Sequence, residues 1–525
     1  MAGEEKNNNH QKISQKYTFS LPRSTAKEIK DFKHSKKDNV IKHLLEVKSS
    51  ILRDIDRKIR NYDPSSLMWL CSIFLVDPVD LSKSPILKNY EELYPRMLSF
   101  CARYICERAC VIKSPSKNKI SDICEYMNII RYVSTYITLD SLYELMDAGF
   151  SKIVTLGNVN ISKRRRNITI EYIPVRFDFI KYFNTFHNEP YRRFDRDNRD
   201  LNMYTRIIEI PEYIKDLKEI SLAMEGELGF GISELFNILS DSLRPLDVEC
   251  VDYSSYLANP LISQYQSRGD KWLKAFKFLI FNSCDIGLND IKVSKTRHQK
   301  KRLVTHPFII MDESIIFSRG LILSAQNRWA YYLLHGEFLI PPSVRKVKYP
   351  KLHKALEERR NARGKEFEIL CEKYLDDIGA VWGRTNKQGV KVGNTKFTGE
   401  IDALVFDKDN KALWVLDFKD LFSDQNATSI FNDLDKVIKY FSQVERTASE
   451  ISKDIPSVIK YFVDDWSKKH KSKSEYRSFR DSYIEVQEWS IKTAIVVRNG
   501  SPGEFLSGYD TQVVHLDGLK DLLSI

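Results

Sequence analysis

Asp402, Asp417 and Lys419 are the residues whose types and spacing suggest chemistry most directly; all three lie in TGEIDALVFDKDNKALWVLDFKDLF, from Thr398 to Phe422. Apolar and polar residues alternate there as in two sheet strands, yet carboxylates stand where burial should exclude them. A tight hairpin at FDKDNKA, centred on Asp409 and Asn410, sets Asp402 opposite Asp417 and Glu400 opposite Lys419, all on one face. Directly opposed residues have Cβ atoms about 4.5–5.5 Å apart, where like charges repel, so the carboxylate pair requires something positive. A hard divalent cation such as magnesium fits. Two carboxylates and a backbone carbonyl supply oxygen ligands and leave positions for water and a phosphate oxygen. Such an ion lowers the pKa of a bound water and stabilises charge building on phosphorus, and a lysine on the same face can orient or deprotonate that water.

The elements that must hold these residues are legible around them. Phe367, Leu370, Cys371, Tyr374, Leu375 and Ile378 recur as one stripe of an amphipathic helix. VWGRT follows as a short strand, and the two strands above come next. Ile430, Phe431, Leu434, Val437, Ile438 and Phe441 then repeat the helical spacing. IKTAIVV is apolar on both faces, as a central strand covered by helices should be, and TQVVHL reads as a further strand before a terminal helix. This order predicts an α/β domain over residues 353–525, an αβββαβ core with a mixed sheet flanked by helices.

On these residues the C-terminal third resembles the PD-(D/E)XK, or restriction-endonuclease-like, nuclease superfamily. Asp402 in GEID and the triplet Asp417-Phe418-Lys419 are similar to its bipartite motif, and ARGKEFEILCEKYL is similar to the G-x-x-F-E helix of several branches. The resemblance implies that Asp402, Asp417 and the Phe418 carbonyl bind metal, that Glu368 completes the acidic cluster, and that Lys419 acts on the attacking water. It implies magnesium as the ion, with manganese able to substitute. Ile401 stands where the motif's name has proline, no Gln-x-x-x-Tyr follows in the next helix, and the triplet is not Gln-x-Lys, so the subfamily stays open.

The implied activity is metal-dependent hydrolysis of nucleic-acid phosphodiesters, DNA first, in genome defence or repair. One alternative is the same fold without catalysis, acting as a nucleic-acid-binding or scaffold protein. Another is a plain strand pair in which Glu400 and Lys419 form a surface ion pair. Glu366 and Glu372 share the helix of Glu368 and compete with it for the ligand role. Asp420 and Glu400 are at most supporting residues.

Composition agrees with a polyanionic partner: the formal net charge is +11, with basic clusters at SKRRR (Ser162 to Arg166), KTRHQKKR (Lys295 to Arg302) and KKHKSK (Lys468 to Lys473). A chain of 525 residues, 42% of them hydrophobic, has room for two or three domain cores. Its apolar runs, such as LMWLCSIFLV, fall short of the roughly 20 residues of a membrane helix, so no membrane span is expected. A polar tail over 1–16 with no apolar core points to a cytoplasmic protein, or a nuclear one in a eukaryote. Cys101, Cys106 and Cys110 lack the spacing of a metal site and read as thiols on a buried helix.

Upstream, residues 17–150 read as mostly helical and 151–342 as a mixed α+β module, with SKRRR at the tip of a strand pair. Pro341, Pro342 and Pro350 punctuate an expected basic linker over 343–352. Residues 17–342 are the candidate surface for a protein partner. His306 and Asp312 are expected in a strand pair without catalysis, and YRRFDRDNRD as a surface salt-bridge network.

Overall fold

The computed structural model describes residues 15–20, 40–68, 95–112, 116, 118–120, 122–147, 151–161, 166–174, 177, 215–248, 253–281, 302–311, 313–340, 342–385, 387–421, 427–472, 474–486, 488–498 and 500–524. The chain divides into two compact units, Met1–Glu358 and Arg359–Ile525. Among the described residues no helix is long and apolar enough to cross a membrane.

The first unit opens with β1 (Gln15–Ser20), α1 (Val40–Arg60), α2 (Pro95–Ile112), α3 (Ile123–Asp147), β2 (Ser151–Ile161) and β3 (Arg166–Pro174). α1, α2 and α3 pack on one another and bury Leu44, Ile51, Ile55, Ile105, Ile130 and Val133. Cys101, Cys106 and Cys110 are buried on α2. Strand β3 pairs antiparallel with both β1 and β2. The stretch read as helical from residue 17, and the tail ending at 16, therefore meet in a strand. QKYTFS spaces Tyr17 and Phe19 two apart, a pattern too short to stand out beside the helical spacing that follows.

The unit continues with α4 (Lys215–Leu228), α5 (Ile232–Val248), β4 (Tyr253–Leu257), α6 (Ala258–Ser267), α7 (Asp270–Phe278), β5 (Ile280–Phe281), β6 (Phe308–Met311), β7 (Ser314–Ser318) and α8 (Arg319–Leu334). Its sheet runs β4-β7-β6-β5. Phe276, Phe308 and Trp329 lie in its core, and Trp329 donates its indole N–H to the Thr305 carbonyl at 2.8 Å.

The expected linker over 343–352 is helical instead: α9 (Pro342–Lys348) is followed by α10 (Pro350–Asp377). Each helix begins on a proline, the position where a missing N–H costs nothing, so these prolines start helices and do not punctuate a linker. Leu352 and Leu356 are fully buried in the first unit's core, and the division falls inside α10, several residues after the expected start at 353.

The second unit contains the rest of α10, β8 (Trp382–Gly383), the small hairpin β9 (Lys391–Val392) and β10 (Thr395–Lys396), β11 (Ala403–Asp407), β12 (Ala412–Lys419), α11 (Ala427–Ile451), α12 (Ile455–His470), α13 (Tyr476–Ile484), β13 (Ser490–Val497), β14 (Gln512–His515) and α14 (Leu519–Leu523). Its five-stranded sheet runs β14-β13-β12-β11-β8. β11 is antiparallel to β12 and β8, while β12, β13 and β14 are mutually parallel, so the path from β12 to β13 needs the long crossover that α11 to α13 provide.

Two apolar layers cover this sheet. On one face Phe367, Cys371 and Leu375 of α10 and Leu519 and Leu523 of α14 pack on Ala403, Val405, Trp414, Leu416, Phe418 and Val496. On the other, Val437, Phe441, Val458 and Phe462 of α11 and α12 pack on Leu404, Phe406, Leu413, Val415 and Ile495. Strand side chains alternate between faces, so the even and odd positions of each strand sort into the two layers. Leu370, expected in the buried stripe of α10, is 45% exposed; the inward stripe narrows to Phe367, Cys371 and Leu375, spaced four apart.

Candidate active site

The site is built on the hairpin of β11 and β12. Ala403 faces Leu416 and Asp407 faces Ala412, a register that continued by one residue sets Asp402 against Asp417. The turn differs from the expected two-residue one. Four residues, Lys408 to Lys411, connect the strands, and positive φ falls on Lys411 (49°), not on Asp409 or Asn410. Lys411 donates its amide to the Lys408 carbonyl, and the Asp407 carboxylate accepts from both the backbone and side-chain nitrogens of Asn410. That side-chain bracket favours a four-residue connection over the tighter turn while keeping the same cross-strand pairs.

By alternation, Asp402, Asp417 and Lys419 belong to the face covered by α11 and α12. Asp402 is fixed by the Phe418 amide, which donates to Oδ2 at 2.7 Å. Lys419 Nζ donates to Asp417 Oδ1 at 2.6 Å and lies 3.7 Å from Asp402 Oδ2, so one ammonium touches both carboxylates. The same Nζ sits 5.1 Å from the ring centroid of Tyr440 on α11. The second oxygen of Asp417, Oδ2, is buried and has no hydrogen-bond partner among the described residues. Burial of a carboxylate oxygen without a donor is costly; Trp414 Nε1 on the same strand is likewise buried without a hydrogen-bond partner among the described residues.

Charge distribution follows from this packing. Burial pushes the Asp417 carboxyl up to about 7; the Lys419 ammonium opposes the rise and the like charge of Asp402 adds to it. Burial alone would lower the Lys419 ammonium, but Asp417 and Asp402 outweigh it and hold the lysine above its usual range. Glu368 is also raised, by burial first and then by Asp402, with Lys419 opposing. Glu368 therefore lies within electrostatic reach of the pair.

It does not complete an acidic cluster. Among the described residues no group of three His, Cys, Asp or Glu side chains is placed to hold a metal ion. The reason is topological: Glu368 is on α10, which covers the opposite face of the sheet from Asp417 and Lys419. Glu368 stands here as an acidic neighbour whose carboxyl feels the charge of Asp402. Glu372 is taken by an ion pair with Arg384, and Glu366 by one with Arg359 at 3.2 Å. Glu400 is exposed, and Lys419 pairs with Asp417 and Asp402, so the surface pair Glu400–Lys419 does not form.

Sequence reasoning missed the arginines beside the hairpin. Arg363 of α10 holds Asp420 through two bonds of 2.8 and 3.3 Å, and Arg498, just past β13, lies 3.7 Å from the same carboxylate. The Arg498 guanidinium stands 5.2 Å from the Phe367 ring centroid. These residues meet only because β12 and β13 run parallel and in register, with Lys419 beside Val497. No local spacing signals that. Tyr440 was likewise unremarked, being one aromatic within a helical pattern.

Other singled-out residues fall elsewhere. His306 is buried against Phe278 and Trp329 and contacts Thr305 Oγ1 at 2.8 Å, a core histidine. Arg302, the last residue of KTRHQKKR, pairs with buried Glu107 at 2.8 Å. Lys468 and Lys469 of KKHKSK pair with Asp464 and Asp465 on their own helix. Asp312, residues 191–200, residues 162–165 of SKRRR and residues 295–301 lie outside the described residues.

The donor set fits a hard divalent ion in part. Asp417 Oδ2 and the opposed Asp402 carboxylate are oxygen donors of the type magnesium takes, and the orphaned oxygen is the observation in favour. No family model matches the chain, and neither the curated proteins nor the solved structures compared with it give a match.

Proposed function

We propose that the chain is a divalent-metal-dependent nuclease that hydrolyses nucleic-acid phosphodiesters, with DNA as the leading substrate, and that Asp402, Asp417 and Lys419 carry the reaction. The observation behind this reading is the pair of opposed carboxylates, Asp417 buried and Asp402 half-buried, touched by one lysine, with an Asp417 oxygen left unpartnered among the described residues. A magnesium or manganese ion, when bound, supplies positive charge toward the scissile phosphate and acidifies water. Asp402 and Asp417 hold that ion. The Phe418 amide keeps Asp402 aimed at its partner, and the Phe418 carbonyl is the proposed backbone ligand. Lys419, an ammonium within reach of both aspartates, orients the attacking water. Glu368 adds negative potential from the flank.

The order helix, three strands, helices, strand around GEID and Asp417-Phe418-Lys419 supports the resemblance to PD-(D/E)XK nucleases, and the net charge of +11 supports a polyanionic substrate. Genome defence or repair is the proposed setting, by analogy of fold. One observation favours a second reading, a nucleic-acid-binding domain without catalysis. Lys419 closes an ion pair across both carboxylates, so the cluster carries its own counter-cation. Incubating the purified full chain with plasmid, linear duplex, single-stranded DNA and RNA in magnesium, manganese or EDTA separates the two. Metal-dependent cleavage of any of these supports the nuclease. Binding without cleavage in every metal condition supports the second reading.

A further inference from the structure

We infer that Lys419 is a displaceable counter-cation with two seats, the carboxylates of Asp417 and Asp402 and the ring face of Tyr440, and that a divalent ion binds by expelling the ammonium from the first seat toward the second. The inference rests on the proposed metal site. The carboxylate seat is defined by Nζ at 2.6 Å from Asp417 and 3.7 Å from Asp402, where a bridging cation would compete for the same oxygens. The aromatic seat is defined by the Tyr440 ring centroid at 5.1 Å from the same Nζ, within the range of a cation–π contact. Tyr440 belongs to α11, which packs on β12, and is itself packed against the core on that face. An ammonium leaving two carboxylates in a site only 21% open at the lysine side chain needs a second partner. The tyrosine face provides it without adding a charge that competes for the metal. Tyr440 is thus a positioning residue: it holds the lysine beside the site, free of its carboxylates.

Calcium binding to the full-length protein, measured by titration calorimetry with magnesium absent, tests this without relying on turnover. Asp417→Asn identifies the isotherm that belongs to this site. Lys419→Met is expected to tighten calcium about tenfold, equivalent to about 1.4 kcal/mol, because the competing ammonium is gone. Tyr440→Leu is expected to weaken calcium about threefold in the wild-type background and to have no effect in Lys419→Met, a non-additivity that only a shared lysine produces. Tyr440→Phe, which keeps the ring face, should bind like wild type and guards against a general folding effect of Tyr440→Leu. A Tyr440→Leu effect that persists in Lys419→Met, or no effect in either background, overturns the two-seat lysine but leaves the metal site standing. Absence of a calcium isotherm that Asp417→Asn removes, in both wild type and Lys419→Met, overturns the metal site and this inference together.

Discussion

Replacing Asp417 by asparagine should change the stability of the metal-free protein in a way that depends on pH. Asp417 is 6% exposed, and burial raises its carboxyl from 3.8 to about 7 against the pull of Lys419. The folded value lies above the unfolded one, so the unfolded chain gives up the proton first. The contribution to stability is fully present below pH 3.8 and is lost as the pH rises through about 7. One pH unit is worth about 1.4 kcal/mol, so an interval of about three units amounts to roughly 4 kcal/mol. Asparagine has nearly the same volume and does not titrate. Asp417→Asn should therefore gain on wild type by up to that amount between pH 4 and pH 8, or roughly 10 °C in the melting transition of the C-terminal unit. Thermal melts in EDTA across this range read the difference directly. At pH 8, calcium should then restore wild type and leave the variant unmoved, because an ion stabilises only the folded state that binds it. A difference that stays flat with pH, or in which wild type gains as the pH rises, would show that the buried carboxylate is well compensated by its surroundings and refute the reasoning about an orphaned oxygen.

Other expectations are separable from this one. Lys419→Ala should lower the single-turnover cleavage rate by about 10²–10⁴, the range for loss of an acid–base group, while duplex affinity in calcium changes little; an unchanged rate removes Lys419 from the chemistry. Affinity for a labelled duplex should fall linearly in log–log form as salt rises, by release of counterions from phosphates, and a salt-independent affinity would point away from nucleic acid. Gly364, inside α10, has nothing within 4 Å of where a Cβ would stand, so Gly364→Ala should raise stability by about 0.5–1 kcal/mol in urea unfolding; a loss would mean that this helical position meets something its surroundings do not reveal.

The hairpin was legible in the sequence because it is local. Two short apolar runs, Ala403–Asp407 and Ala412–Lys419, and a polar connection between them are enough to set the two aspartates opposite each other, and that register survives a turn of a different type. Phe367, Cys371 and Leu375 of α10 and Leu434, Val437 and Phe441 of α11 were legible for the same reason, from spacing, while Leu370 was not; the side chains of Ile430 and Phe431 lie outside the described residues. What spacing could not give is which face each helix covers. α10 lies against Phe418 and Leu416 while Lys419 looks toward Tyr440, and only the crossover topology decides this. Arg363 and Arg498 meet at Asp420 through the parallel pairing of β12 with β13, a contact between strands some seventy residues apart. Proline was misleading at Pro342 and Pro350 because it marks both linkers and first turns of helices. The buried Leu352 and Leu356 that distinguish the two at Pro350 gain their meaning from a core assembled elsewhere in the chain.

The most direct test of the central claim is single-turnover cleavage of an end-labelled DNA duplex by the full chain in magnesium, with wild type, Asp402→Asn and Asp417→Asn compared at equal folded concentration. The account predicts that wild type cleaves, that EDTA abolishes cleavage and that magnesium restores it, and that each asparagine variant binds the duplex but leaves it intact. Cleavage by both variants at the wild-type rate would contradict it, because the opposed carboxylates would then have no part in breaking the phosphodiester bond.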